Sequence, residues 1–247
     1  MTCLILRTPS GISGDMLVTG LSKIGNFSSV QINRWIQDIG VPELKNSLKI
    51  HKAAVQGIAG WQAKVKVKHC HHHRPLTEIH RIIRKSRLSV PAKKLASAAF
   101  DLLAKAEGEI HHMDPRKVEF HEIGGLDSIL DICLSSAMFA ELDPAKFFVS
   151  PLPVCDGNIR CAHGILSAPA PATLLLLKNV PVYGIDSEGE TVTPTAIALL
   201  KAFGASFGRW PSVKIKKSVR IYGGRLLPNV PNGAVFILGE SETARKC

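Results

Sequence analysis

The chain opens on an apolar run, Cys3–Leu6, that predicts a buried strand; a Pro–Ser–Gly turn and a helix through Ile24 follow. Ser28 or Ser29 can cap a second helix, because Val30, Trp35 and Ile36 recur near helical spacing. Leu48–Val55 and Trp61–Lys68 have strand character. In the second, Ala63, Val65 and Val67 alternate with lysines, as on a half-exposed sheet edge. Helices are predicted over Leu76–Ser86 and Pro91–Gly108, the latter with Leu95, Ala99, Leu102 and Ala106 on one face. After a short Val118–Phe120 strand, helices at Asp127–Glu141, Pro171–Lys178 and from Thr195 through Phe203 alternate with strand-like runs. Those runs are Lys146–Val154, Val180–Ile185, Val213–Tyr222 and Ala234–Gly239. The alternation predicts an α/β or α+β fold with a mixed sheet, flanking helices and a helical lobe in the middle of the chain. No linker divides the sequence, so residues 1–247 read as one domain. Arg160–Pro171 reads as an ordered loop stiffened by Pro169 and Pro171.

Composition narrows the partners. No apolar run approaches the ~20 residues of a transmembrane helix, and no signal-peptide pattern opens the chain. A cytoplasmic protein with its six cysteines reduced is the expectation. The net charge of +11 is unevenly spread: Lys64–Lys94 carries ten Lys or Arg against Glu78 alone, and Glu107–Asp143 carries nine acids against Arg116 and Lys117. Such polarity suits an anionic partner on one side and a cation on the other. With 6% aromatic residues and no recognisable nucleic-acid motif, nucleic acid is supported by charge alone. A phosphorylated small molecule fits equally well.

The chemistry gathers in a few blocks. His121, Glu122, Asp127 and Asp131 surround one strand-to-helix turn at Gly124–Gly125, and the two aspartates share a helix face. They read either as a solvated acidic helix start or as carboxylates compensated by a cation or a hydrogen-bond donor. Ser10–Asp15 lies between a strand and a helix, where Gly11 and Gly14 let backbone amides approach an anion; a plain tight turn is the alternative. His69, Cys70, His71, His72 and His73 form an internal cluster of imidazoles and a thiol suited to Ni²⁺ or Zn²⁺. Cys161 and His163 make a possible ligand pair if extended, or else a buried thiol and a hydrogen-bonded histidine. Thr193 and Thr195 can cap the following helix or donate hydroxyls to a phosphate.

The 121–132 block closely resembles the H-E-x-G-x-x-D-S-I-x-D-I block of the LarC family, nickel-insertion proteins of lactate racemase maturation. Ser10–Met16, His69–Arg74, Cys161–Gly164 with Pro169–Thr173, and Thr193–Thr195 match further blocks in the same order. The resemblance implies a nickel chelatase that inserts Ni²⁺ into pyridinium-3,5-bisthiocarboxylic acid mononucleotide, forming the nickel-pincer cofactor with CTP hydrolysis. It further implies a C-terminal domain absent from this chain that holds most of the CTP with Mn²⁺ or Mg²⁺. Under it, His121 or Glu122 is the base that removes the ring proton, and Asp15, Asp127, Asp131, Cys161, His163 and His69, His71, His72 and His73 handle metal. Ser10, Gly11, Ser13, Gly14, Thr193 and Thr195 contact the ligand, and all except the 69–73 loop and the Ser/Thr/Gly contacts should converge on one cleft. Arg7 stands where the family has Asp, and Ala196–Ile197–Ala198 where it has Gly-Ala-Ala. A homo-oligomer is expected, with no membrane contact. The competing readings are a non-enzymatic nickel chaperone or store and a basic nucleic-acid-binding protein.

Overall fold

The structure, a computed structural model, describes residues 1–67, 74–120, 124–161, 164–187, 189–227 and 230–241, with the backbone alone at Arg160 and Cys161. Strand β1 (Thr2–Arg7) leads into helices α1 (Gly14–Ile24) and α2 (Ser29–Ile39), and a hairpin of β2 (Leu48–Val55) and β3 (Ile58–Val65) follows. Next come β4 (Arg74–Pro75), α3 (Leu76–Lys85), α4 (Val90–Ile110), β5 (Glu119–Phe120) and α5 (Leu126–Leu142). The chain then forms β6 (Lys146–Val149), β7 (Leu152–Val154), β8 (Asn158–Cys161), β9 (Gly164–Ser167) and α6 (Pro171–Leu176). It ends with β10 (Val182–Gly184), α7 (Pro194–Ala202), β11 (Ser206–Phe207), β12 (Val213–Tyr222) and β13 (Ala234–Ser241). Helix starts follow local chemistry: the Ser28 and Ser89 hydroxyls accept the amides of Gln31 and Ala92 at 3.2 and 3.3 Å. Gly40 closes α2 in the left-handed conformation.

Seven strands form a mixed sheet in the order β11-β6-β1-β13-β12-β3-β2. β1, β6 and β11 run parallel, and β1 is antiparallel to β13. Because side chains alternate along each strand, Leu4, Leu6, Phe147, Val149 and Phe236 face the helices and join one core with α1, α4, α5 and α7. Cys3, Ile5 and Ile237 occupy the other parity; they are buried but stand outside that core. The connection 208–212 must pass from β11 across β6, β1 and β13 to reach β12, and Arg7 sits over the Trp210 ring. That crossing lays Trp210 over the helix-free face of the sheet.

The mixed sheet and all the expected helices are present, and the middle helices share their core with the sheet. Three details differ from expectation. The Lys146–Val154 run breaks at Ser150–Pro151: the Ser150 amide still reaches the Leu6 carbonyl at 2.9 Å, but the chain then turns into β7, which pairs with β10 in a separate sheet. The segment 160–171 holds part of the β8–β9 hairpin rather than a loop. The lysine-alternating strand is β3, one place in from the edge strand β2. It keeps an edge-like pattern because β12 pairs with it only at Trp61 and Gln62.

Helix α1 lies close against the sheet because Gly20 has no side chain. A Cβ there would come 2.0 Å from Cε2 of the buried Phe236 ring. Gly20→Ala gains up to about 1 kcal/mol of helix propensity, but overpacking of this kind costs about 1–3 kcal/mol. Net destabilisation is expected by chemical denaturation, and an unchanged or raised midpoint would show that the contact is not tight.

Candidate functional site

The site is built where β1 ends. Beyond it, Ser10–Asp15 turns and zips onto the segment leading into α7: the Ile12 amide donates to the Thr191 carbonyl at 2.8 Å, and the Thr193 amide to the Ile12 carbonyl at 3.1 Å. Gly11 makes this approach possible. Its φ is +102°, and a Cβ would fall 1.8 Å from the Thr191 oxygen. The N-termini of α1 and α7 are thereby brought together. Thr193 caps α7, its hydroxyl accepting the Ala196 amide at 3.3 Å, so the capping alternative holds for this residue.

A cleft of about 210 Å³ opens beside this junction, with Ser10, Gly11, Ser13 and Thr193 on its wall. Glu190, Tyr222, Gly223, Arg225 and Asn232 complete much of the lining. Ser10 ties the two sides together, accepting the Gly233 amide at 3.0 Å and donating to its carbonyl at 3.4 Å. Sequence reasoning missed Glu190, Tyr222, Arg225 and Asn232. A signal existed for one stretch: Gly223–Gly224–Arg225 follows a strand, just as the Gly11–Gly14 turn follows β1.

Behind the turn lie the acids. Gly14 presses on Asp131 of α5; a Cβ at Gly14 would come 2.4 Å from Asp131 Oδ2. Asp131 Oδ1 is completely shielded and has no hydrogen-bond partner. Burial, reinforced by the charges of Asp15 and then Asp127, holds the Asp131 carboxyl well above the usual carboxylate range. Burial also raises Asp15, partly offset by hydrogen bonds from the Ser13 hydroxyl and the Met16 amide. No ion pair with Lys or Arg relieves either carboxyl among the described residues. Cys133, two residues further along the same helix, is buried and its thiol is pushed up to about 12, so it offers no thiolate.

The structure therefore gathers Asp15, Asp127 and Asp131 near the Ser10–Gly14 turn. Gly14 contributes by letting Asp131 approach, while Thr195 is buried within α7 and does not line the cleft. His121 and Glu122, like His163 and the cluster His69, His71, His72 and His73, lie outside the described residues. Cys161 ends β8, which among the described residues pairs with β9 alone; its side chain lies outside the description too. Among the described residues, no group of three or more His, Cys, Asp or Glu is arranged to hold a metal.

The nickel insertion protein family matches residues 4–246. The chain belongs to that family. A protein of Desulfitobacterium hafniense is 40% identical over 209 residues, covering 84% of this chain and 51% of the relative. One from Geobacillus kaustophilus is 35% identical over 250 residues, covering 97% and 60%. One from Staphylococcus epidermidis is 34% identical over 213 residues, covering 86% and 53%. All three are named pyridinium-3,5-bisthiocarboxylic acid mononucleotide nickel insertion protein. The chain thus spans between half and three-fifths of these relatives. No solved structure matches it. No helix among the described residues is long and apolar enough to cross a membrane.

Within this nickel insertion family chain, Arg7 is directed by strand parity to the helix-free face, where it meets Trp210. It is therefore not part of the Asp15–Asp131 group. Ala196 is buried in the first turn of α7, its amide taken by Thr193.

The acid pair carries a pH signature. A carboxyl raised in the folded state adds full stability below its unfolded value, about 3.9, and that contribution is lost as pH rises toward the folded value. Asp131→Asn removes the ionisation. In chelator it should therefore melt higher than the parent at pH 7, with the gap closing near pH 4. Equal melting at both pH values would show that Asp131 is not held above its ordinary range.

Proposed function

We propose that this chain forms the N-terminal part of a nickel-insertion enzyme and takes part in inserting Ni²⁺ into pyridinium-3,5-bisthiocarboxylic acid mononucleotide. The observation that carries this reading is the buried, unpartnered Asp131 carboxyl, pushed by Asp15 and packed against Gly14 of the turn whose Ser10, Gly11 and Ser13 wall the cleft. Like-charged acids without a cation are costly in a shielded site, and a divalent ion relieves that cost. Membership of the family and the names of its relatives support this choice of ion and acceptor.

Nickel is cargo here. Asp15 and Asp131 would receive it with Asp127 in support, and His121 and Glu122, which immediately precede the Gly124–Gly125 turn into α5, are the assigned further donors or base. The base takes the ring proton as carbon bonds to the metal, and the two thiocarboxylate sulfurs replace protein ligands. The phosphate of the mononucleotide suits the mouth of the cleft, where the start of α1 and Arg225 offer positive potential. We assign CTP with Mn²⁺ or Mg²⁺ mainly to the further domain of the longer family proteins. Classification as a lyase and a place in the cytoplasm follow from this reading.

The test is nickel insertion in the presence of the thiolated pyridinium mononucleotide, Ni²⁺ and CTP, with and without that further domain. Asp131→Asn and His121→Ala should each lower the rate at least ~10-fold. Full activity in both variants would remove this site from the reaction. Calorimetric Ni²⁺ binding without nucleotide separates a chaperone, which keeps its metal affinity but inserts nothing, from the chelatase.

A further inference from the structure

The face of the sheet opposite the helices carries a charge pattern that the proposed reaction does not use. Register assigns its side chains: Lys49 and His51 on β2, Gln62 and Lys64 on β3, Ser218 and Arg220 on β12, Val235 and Ile237 on β13, Ile5 and Arg7 on β1, Lys146 and Phe148 on β6. None of these is an acid. Lys49 and Lys64 are directly opposite each other, a cross-strand like-charge pair that costs stability unless an anion lies between. Arg7 and Arg220 both flank Val235 from either side, which sets them about 10 Å apart by strand spacing. Among the described residues none of the four has a carboxylate partner.

Beside the arginines lies apolar and aromatic surface. Trp210, which crosses this face, is 38% exposed and lies under the Arg7 guanidinium. Tyr183 on β10 is 42% exposed and within electrostatic reach of Arg7. Exposed Trp, Tyr and Arg in one place are the residue types that dominate binding energy at protein interfaces. A single-stranded nucleic acid would need a row of exposed rings to stack on. The strands of this face offer no such row: Ile5, Ile237 and Tyr222 are buried and Phe148 is half-buried.

We propose that the helix-free sheet face is a docking surface for an acidic protein partner, with carboxylates meeting Arg7, Arg220, Lys49 and Lys64 and an apolar centre seated at Trp210. Charge complementarity selects the partner and steers its approach, while the Trp210 contact holds it.

The probe is a labelled peptide of Glu-Glu-Leu-Glu repeats, titrated by fluorescence anisotropy into the full chain at two salt concentrations. Arg7→Glu with Arg220→Glu should weaken binding at least ~10-fold. Lys49→Glu with Lys64→Glu, which exchanges one like-charge pair for another on exposed strand positions, should do the same with a melting temperature close to the parent's. The matched reversal Arg81→Glu with Arg84→Glu, on the exposed surface of α3, should change affinity less than ~2-fold. Equal losses from all three pairs would reduce the effect to net charge and overturn the proposal. Tighter binding of an oligo-dT strand than of the peptide, lost in the same variants, would overturn it in favour of nucleic acid.

Discussion

The rest of the site depends on one close approach: the backbone of the Ser10–Gly14 turn meets Thr191 on one side and Asp131 on the other. Two glycines permit it. Gly11 yields to a carbonyl and Gly14 to a carboxylate, each at a separation that a Cβ would forbid. Because the turn is pinned between β1 and the start of α7, the first turn of α1 cannot drift. Its amides, the cleft and the acid group are then held in one relation. Parallel β1, β6 and β11 place this junction beyond the carboxyl ends of neighbouring strands, a position where α/β sheets commonly hold ligands.

That arrangement is electrostatically unfavourable. Asp131 is shielded, unpartnered and pushed by two neighbouring acids, and Asp15 is raised by burial as well. Packing elsewhere must offset this, and the large core shared by the helices and the inner sheet face does so. The molecule also separates its charges. Acids collect where α1 and α5 meet, on the helical side; the opposite face of the sheet shows Lys and Arg with no acid among its strand positions. A cation and an anionic partner can therefore be engaged on different sides without competing for the same residues.

Much of this was legible in the sequence. The apolar β1, the Ser28-capped α2, the helix spanning Pro91–Gly108 and the long α5 are local consequences of periodicity and capping, and the structure has them all. The clustering of Asp127 and Asp131 is likewise fixed by a four-residue helical spacing. The breaks were harder to see. Pro151 ended a run of strand-like residues, and β3 looked like an edge because its second neighbour pairs at only two positions.

What the sequence by itself determined was the set of elements and the family, because hydrogen-bonding periodicity and short motifs are properties of neighbouring residues. Only the tertiary structure decided that Asp15 meets Asp131, that Arg225, Glu190 and Asn232 enter the cleft, and that Arg7 leaves it for Trp210. Those relations join residues far apart in the chain. They depend on which strand ends adjoin and which parity each side chain takes, and both are set by the packing of the whole sheet rather than by any local pattern.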